Sequence, residues 1–364
     1  MMLQCIGVPL EEIPKFRLIG SKHNMLEHLS GVITENELTG DTFFDAFSGS
    51  ASVGRYFKTR YRIISNDQLY FSYVLQNGMV VLNELPKFDS IKINGLQNHS
   101  EKKIIQILQF LNTLPPVEGF IYKHYTPESL SVDGVERRFF SKSNGGKIDA
   151  VRTRLDQWLK EGDIIENEFY YLLTMLLLAV QKVSNISGTY GAFNKSWDPR
   201  SYKPLTLKFL PVIPSSFKHI AFNENSIELA KKIEYDIAYL DPPYNARQYI
   251  SNYHVLETIA KNDNPNISGK TGMRSYSEND KSVFCSKNMA KIGLSKLLNS
   301  MKSRSVIMSY SSDGLLSKEE ILDEFERSKY RHAELIQVPH RRYKSNSRTS
   351  NRKINEYIFI AKLS

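Results

Sequence analysis

The sequence predicts an α/β protein: a mostly parallel sheet, closed by an antiparallel C-terminal hairpin and interrupted by a mainly helical insertion. Three observations predict it. Short apolar runs alternate with helix-like segments towards both ends of the 364-residue chain, as in a parallel sheet covered on both faces. Residues 82–217 instead carry helical periodicity broken by polar, turn-rich stretches. The last two apolar runs are joined by a short basic link, which favours antiparallel pairing at a sheet edge.

In chain order, Thr42–Phe47 reads as a buried strand, Ser52–Lys58 as the helix that follows, and Tyr61–Ser65 as the second strand. In the middle part, Ile104, Ile105, Leu108 and Leu111 recur at helical spacing until Pro115-Pro116 stops them. Ile148, Val151, Leu155 and Trp158 do the same. Two polar stretches, 141–147 and 186–204, read as loops. Tyr235–Leu240 is the next strand, with a helix over Asn252–Lys261, then a strand at Ser305–Ser309 and a hairpin of Glu334–Tyr343 with Asn355–Leu363. The expected division is a discontinuous domain of residues 1–81 and 218–364 holding an inserted one of residues 82–217.

Apolar residues make up 41%, charged ones 24% and aromatic ones 11%, which excludes a wholly disordered or collagen-like chain. The most apolar run, Phe169 to Val180, falls short of the roughly 20 residues a membrane span needs and reads as a buried helix. The first residues show no basic start followed by an apolar run, so no secretory signal is expected. Cys5 and Cys285 are too few for a disulfide framework or a cysteine-rich zinc site; they can pair with each other, but a reducing compartment is the simpler reading. The histidines show no metal-binding spacing, and no metal is expected. Lys plus Arg number 48 against 39 acids, a charge of +9 that suits a polyanionic partner and says nothing about fold.

The sharpest chemical signal is Asp241-Pro242-Pro243-Tyr244 after an apolar strand. It puts a carboxylate at a strand's carboxyl end, where open α/β sheets bind ligands. The two prolines stiffen the main chain. A fixed carboxylate, a fixed carbonyl and a flat ring suit a planar, amino-bearing substrate such as a nucleobase. The bland alternative is a proline turn with an incidental tyrosine. The second signal is the strand-turn-helix from Phe43 to Gly54. Small residues there admit a ligand close to the backbone, and helix N–H groups face it. Asp67, at the end of the next strand, is placed to hold ribose hydroxyls. Gly49, Ala51 and Gly54 also match a loose dinucleotide fingerprint, so this turn alone indicates an adenosine-type cofactor without saying which. A third, weaker piece is Phe16, Gly20 and Lys22.

These pieces, in this order, resemble the Dam-like group of DNA amino-methyltransferases that use S-adenosylmethionine. Phe16, Gly20 and Lys22 match its opening segment. Asp45, Phe47, Gly49 and Ser50 match its cofactor turn, and Asn66-Asp67 its next acidic pair. Asp241–Tyr244 is followed by Asn245, Arg247, Gln248 and Tyr249 and a helix from Asn252, as in many members. Ala51 stands where the group usually has glycine. The resemblance implies a Rossmann-like methyltransferase sheet with a target-recognition domain as the insertion. It implies adenine as target, Asp241 and the Pro242 carbonyl as acceptors for its amino hydrogens, and Tyr244 stacking on the base. Phe16, Gly20, Lys22, Asp45, Phe47, Gly49, Ser50, Asp67, Asp241 and Asn225, which neighbours Glu224, are the implied cofactor residues. Double-stranded DNA is the implied partner, with a separately encoded restriction endonuclease and a bacterial or phage-type cytoplasmic setting.

A base inside a duplex reaches such a pocket only when flipped out. Phosphate contacts are therefore expected from the basic loop containing Arg341, Arg342 and Lys344. Arg137, Arg138, Asn144, Lys147, Tyr190, Asn194, Lys195, Trp197, Arg200 and Arg247 are further candidates; the bland reading of each charge run is a solvated face. His254 reads as structural. Ser309–Gly314 is either a wall of the base pocket or an ordinary strand-end turn. Other readings stay open: a cytosine or RNA amino-methyltransferase, a nicotinamide-dependent dehydrogenase that leaves Asp241–Tyr244 unexplained, and a non-catalytic DNA-binding module.

Overall fold

The computed structural model describes residues 7–340 and 354–363. Its main sheet is built from β1 (Thr42–Asp45), β2 (Arg62–Asn66), β3 (Ile220–Phe222) and β4 (Ile237–Leu240), and later β7 (Ser305–Ser311), β8 (Glu334–His340) and β9 (Ile354–Lys362). Between these, β5 (Ile267–Ser268) and β6 (Met273–Arg274) form a separate two-stranded ribbon. The seven strands lie in the order β3-β2-β1-β4-β7-β9-β8. The first five pair in parallel, and β9 runs antiparallel to both β7 and β8. This is the expected mostly parallel sheet with an antiparallel C-terminal hairpin.

Alternation along the strands divides the interior. Phe43, Ile63, Ile237 and Tyr239 face one apolar cluster, and Phe44, Ile64, Ala238 and Leu240 face the other. Because β1 and β4 are covered on both sides, each reads as an unbroken apolar run. Helices Ser226–Lys232, Lys287–Ser300 and Lys318–Glu326 cover the second face through Ile227, Leu294, Leu297, Ile321 and Phe325. Helices Leu26–Glu35, Tyr70–Gln76 and His254–Lys261 cover the first.

That first cluster continues into residues 82–217. Helices Ser100–Thr113, Lys142–Glu161 and Glu166–Val183 contribute Ile107, Leu155, Leu172 and Leu176 to it. Helix Glu166–Val183 carries the apolar run read from the sequence and is buried nearly all round, which is what removes any polar face. Thr174 at its middle donates to the Val74 carbonyl at 3.0 Å, and Gly78 lacks the Cβ that would meet Thr174 at 2.2 Å. Among the described residues no helix is long and apolar enough to cross a membrane.

Buried carboxylates close free helix starts. Glu257, on the helix after Asp241–Tyr244, accepts from the Tyr70 and Phe71 amides at 3.1 Å each. Asp149 does the same for Ile121 and Tyr122 at 3.0 and 2.7 Å. Both satisfy donors that have no partner within their own helix.

One expected loop is corrected. Residues 142–147 form the first turns of helix Lys142–Glu161, capped by the Ser141 side chain on the Asn144 amide. Two adjacent glycines suggested a turn. Their function is close approach: a Cβ on Gly145 would lie 2.3 Å from Thr126 Cγ2, and one on Gly146 2.8 Å from Pro116 Cβ and 3.0 Å from the Val117 carbonyl oxygen. Gly146→Ala should therefore destabilise the protein by about 1–3 kcal/mol, although alanine is the better helix former. Urea unfolding measures this; an unchanged or higher midpoint would contradict the packing argument.

Candidate active site

Strands β1 and β4 lie side by side with Asp45 opposite Tyr239, and the Ala46 amide donates to the Tyr239 carbonyl at 3.1 Å. Two residues further along β4 comes Asp241. The register thus brings the two acids of the sequence motifs to the same edge. They line one cleft of about 960 Å³ together with Gly20, Lys22, Phe47, Gly49, Ser50, Asp67, Pro243 and Tyr244.

The turn after β1 is held from below. The Gly49 amide donates to Asp67 at 2.9 Å, the Leu69 amide to the other Asp67 oxygen at 2.9 Å, and Ser72 Oγ to the Gly49 carbonyl at 2.6 Å. Gly49 has φ +48 and Ala51 φ +60, so two residues of this turn are left-handed and the second is not glycine. Asn66, beside Asp67, is wholly buried; its amide group donates to the Ala46 and Glu224 carbonyls and to Ser226 Oγ at 3.0–3.3 Å. Of the Asn-Asp pair, one residue ties three loops together and the other faces the cleft.

Lys22 departs from expectation. Only 4% of its side chain is exposed, and its ammonium lies 2.8 Å from Asp241 Oδ1, 2.8 Å from Glu356 Oε1 and 3.0 Å from the Gly20 carbonyl. An ammonium has three donors, and all are used inside the protein. Burial works against its charge, but the two carboxylates outweigh it and hold Lys22 protonated well above its usual range. Burial pushes the Asp241 carboxyl up to about 6 against the pull of Lys22, and Glu356 raises it further.

Asp45 is the unresolved charge of the site. It is 1% exposed, and among the described residues neither carboxylate oxygen has a partner at normal hydrogen-bond geometry, with Ser48 and the Phe47 amide only offering weak support. Burial, with the charge of Asp241, pushes it up to about 8, so it is neutral at neutral pH until a cation arrives. Burial likewise raises Asp67 to about 6 despite its two amide donors. An amino-acid ammonium against Asp45 and ribose hydroxyls against Asp67 are chemically matched to these positions, so the donor set fits the amino-acid and sugar ends of S-adenosylmethionine.

Tyr244 rests on Gly20 and Tyr310. Gly20 has φ +76, and a Cβ there would come 3.0 Å from the Tyr244 ring. Tyr310 meets the ring edge-on at 6.2 Å, and the Leu315 amide donates to the Tyr244 carbonyl at 3.0 Å. Residues 309–314 therefore buttress Tyr244 and do not line the cleft. Phe16 sits behind the wall, stacked on Phe71 at 6.3 Å, and Phe71 lines the cleft in its place. Pro242 is buried and does not line it. Asn225 uses its side-chain oxygen to cap helix Ser226–Lys232. It borders a smaller adjoining cavity of about 230 Å³ with Phe47, Ile227 and Phe284.

The candidates for DNA contact divide by burial. Arg137, Asn144 and Tyr190 are corrected as direct contacts. Arg137 pairs with Asp133 at 2.8 Å and donates to Gly269, Asn144 holds the Ser201 and Lys203 carbonyls at 3.0 Å, and Tyr190 bonds Ser184 at 2.7 Å; all three are buried. Lys147 donates to the Asn112 and Leu114 carbonyls, and Arg200 to Asp198 and Ile186. Asn194 joins Asn185. Arg138 is half-buried beside Glu136, while Lys195 and Arg247 are exposed. Arg247 reaches the Gly191 carbonyl at 3.3 Å, tying the stretch after Tyr244 to the loop of residues 186–204. In the same loop Trp197 pairs with Tyr202 at 5.4 Å, and Tyr202 is 63% exposed. Arg341, Arg342 and Lys344 lie outside the described residues. His254 is structural: its Nε2–H donates to the Tyr190 carbonyl at 2.9 Å, and burial lowers it to about 3.

Sequence reasoning missed Glu356, a lone acid inside an apolar strand, and the residues that roof the cleft. Gln248 exchanges hydrogen bonds with Ser282 at 3.0 and 2.8 Å, and the Ile19 amide donates to Tyr253 at 2.6 Å. The segment around 280–282 had no motif to mark it.

A family model described as D12 class N6 adenine-specific DNA methyltransferase matches residues 18–323. The type II methyltransferase M.FokI of Planomicrobium okeanokoites is 40% identical over 351 residues, 94% of this chain and 52% of that protein. The modification methylase StsI of Streptococcus sanguinis is 34% identical over 94% of this chain and 51% of its own. The type II methyltransferase M.NlaIII of Neisseria lactamica is 38% identical over 94% of this chain and 98% of its own. The chain thus spans about half the length of the first two relatives and nearly all of the third.

A testable consequence follows from Asp45. A carboxyl raised on folding keeps its proton in the native state while the unfolded chain loses it, so the empty protein loses stability as pH rises from about 4 to about 8. Asp45→Asn should flatten that decline and raise the melting temperature at pH 8. It should also weaken S-adenosylmethionine binding by roughly tenfold or more, the loss of a charge-assisted hydrogen bond. A variant with unchanged pH dependence and unchanged affinity in calorimetry would remove Asp45 from the site.

Proposed function

Since this chain belongs to the D12 class N6 adenine-specific DNA methyltransferase family, we propose that it transfers the methyl group of S-adenosylmethionine to the exocyclic amino nitrogen of adenine in duplex DNA, as the modification enzyme of a restriction-modification system. The observation that carries this reading is the shared cleft: the stiff acidic turn Asp241–Tyr244 and the cofactor-type acids Asp45 and Asp67 line one cavity.

S-adenosylmethionine, when bound, supplies an electrophilic methyl group on a cationic sulfur. Asp45 would take its ammonium, Asp67 its ribose, and the Gly49 turn its close backbone approach, with Phe47 and Ser50 beside it. The amino nitrogen of adenine is a weak nucleophile because its lone pair is spread into the ring. Acceptors at Asp241 and the Pro242 carbonyl would draw on its two hydrogens and localise that pair as the N–C bond forms and the S–C bond breaks. The displaced proton passes to Asp241. The residues supply positioning and fixed electrostatics, with Tyr244 stacked on the base.

The partner is double-stranded DNA, with a separately encoded endonuclease and a cytoplasmic setting. Residues 82–217 act as the target-recognition insertion within a catalytic domain of 1–81 and 218–364. Arg247, Lys195 and Arg138, with the Trp197–Tyr202 pair, offer charge and stacking surface near the stretch that follows Tyr244. A nicotinamide-dependent oxidoreductase gains no support, since it gives Asp241 and Tyr244 no work.

Two outcomes test the reading. Labelled methyl transfer to adenine-containing duplexes should fall roughly 10²–10⁴-fold in Asp241→Ala, with cofactor affinity largely kept. Wild-type rate in that variant would refute the mechanism, and label found only in cytosine would change the substrate. The single-turnover rate should also rise with pH through about 6, where Asp241 ionises. A limb near 4, the ordinary carboxylate value, would show that Asp241 is not the group observed.

A further inference from the structure

Strand β9 brings Glu356 to the back of the site, opposite Ser311 of β7 and Val338 of β8. Its side chain is buried, and among the described residues the one cation it meets is Lys22, at 2.8 Å, the same ammonium that meets Asp241 at 2.8 Å. A single positive charge is therefore divided between two largely buried carboxylates. No motif read from the sequence includes Glu356, and the transfer described above does not use it.

We propose that Glu356 is a positioning residue: by sharing Lys22, it keeps the ammonium fixed beside Asp241 while preventing the two from closing into a neutral pair that would blunt Asp241 as an acceptor. The inference rests on the proposed methyl transfer and adds the control of its acceptor.

The physical reason is the competition for one ion. In a low-dielectric interior a lysine paired with a single carboxylate neutralises it almost completely, and the carboxylate becomes a weak hydrogen-bond acceptor and a weak base. A second carboxylate on the far side of the ammonium draws charge away and leaves Asp241 with part of its basicity. The Gly20 carbonyl, 3.0 Å from the same ammonium, fixes the third direction, so Lys22 has no freedom to swing toward either acid. The other groups that face this trio are Asp45, Tyr239, Tyr244, Tyr249 and Asp313. The three phenols stay neutral in the working range because burial raises each of them. Burial keeps Asp45 protonated to about 8 until a cationic ligand meets it, and Asp45 is the same in every variant compared. Asp313 acts on Tyr244. Among the described residues, Lys22 and Glu356 are the groups joined with Asp241 in one ion-pair network.

The test is a pH profile of single-turnover methylation for the wild type, Glu356→Gln and Glu356→Asp. In the Gln variant the acid limb should move to lower pH by at least ~0.5, because Asp241 loses an anionic neighbour and gains the whole of Lys22. The plateau rate should fall roughly threefold to tenfold, the cost of a weaker acceptor. Glu356→Asp, which keeps the charge, should leave the limb where the wild type has it. A rate loss in the Gln variant with the limb unmoved marks a merely structural role and overturns the proposal, as does a profile identical to the wild type. Should the Gln variant fail to fold, Glu356→Met, similar in length and uncharged, carries the same expectation and the same refutation. Absence of methyl transfer by the wild type itself defeats the functional reading and this inference with it, whereas an active wild type with an unmoved limb in the variants defeats this inference alone.

Discussion

The site is organised around a shortage of positive charge. Asp45, Asp67, Asp241 and Glu356 lie in or against one cleft, and Lys22 is the ammonium among them. Burying a carboxylate without a partner is costly, and the group responds by holding its proton. Asp45 does so, while Asp241 and Glu356 share Lys22. Empty, the cleft is an incomplete ionic arrangement. A ligand that brings an ammonium and a second cationic centre completes it, which is the charge pattern of a sulfonium methyl donor. The same shortage divides Lys22 between Asp241 and Glu356, so in the proposed reaction binding and chemistry would have one electrostatic origin.

Everything else in the fold serves to keep those charges in place. Parallel pairing of β1 with β4 fixes the separation of Asp45 and Asp241 through backbone hydrogen bonds, the stiffest coupling available between distant segments. Two prolines freeze the chain between Asp241 and Tyr244. Gly20 lets the backbone slip beneath the Tyr244 ring, and its carbonyl anchors Lys22. The insertion is joined to this frame at several depths. His254 holds the Tyr190 carbonyl, and Arg247 reaches Gly191. Residues 82–217 thus contact the helix and the stretch that follow Asp241–Tyr244.

Much of this was legible in the sequence because the relevant signals are local. Apolar runs ending in Asp marked β1 and β4, since strands buried on both faces admit few polar residues. Asp241–Tyr244 was readable because proline restricts the backbone wherever it occurs. The C-terminal hairpin followed from two adjacent strand-like runs. Long-range partners were not legible. Glu356 is one acid in an apolar strand, and only the sheet order places it behind Lys22. Lys22 itself looked like a cofactor ligand because its motif says nothing of its partners. Arg137, Asn144 and Tyr190 looked like surface groups because basic and amide residues usually are, yet each satisfies a buried carbonyl, hydroxyl or acid. The glycines of residues 145–146 signalled a turn where the structure uses them for helix packing. Strand β3 and the β5–β6 ribbon are too short to leave a periodic trace.

The central claim is that the acidic turn and the cofactor cleft act on the same two reacting atoms. A crystal structure of the chain with a duplex and the demethylated cofactor tests it most directly. The account predicts an adenine turned out of the helix against Tyr244, its amino nitrogen within hydrogen-bonding distance of Asp241 and the Pro242 carbonyl, and facing the cofactor sulfur across the cleft. An adenine left stacked in the duplex, or an extruded base whose amino group points away from Asp241, would contradict it.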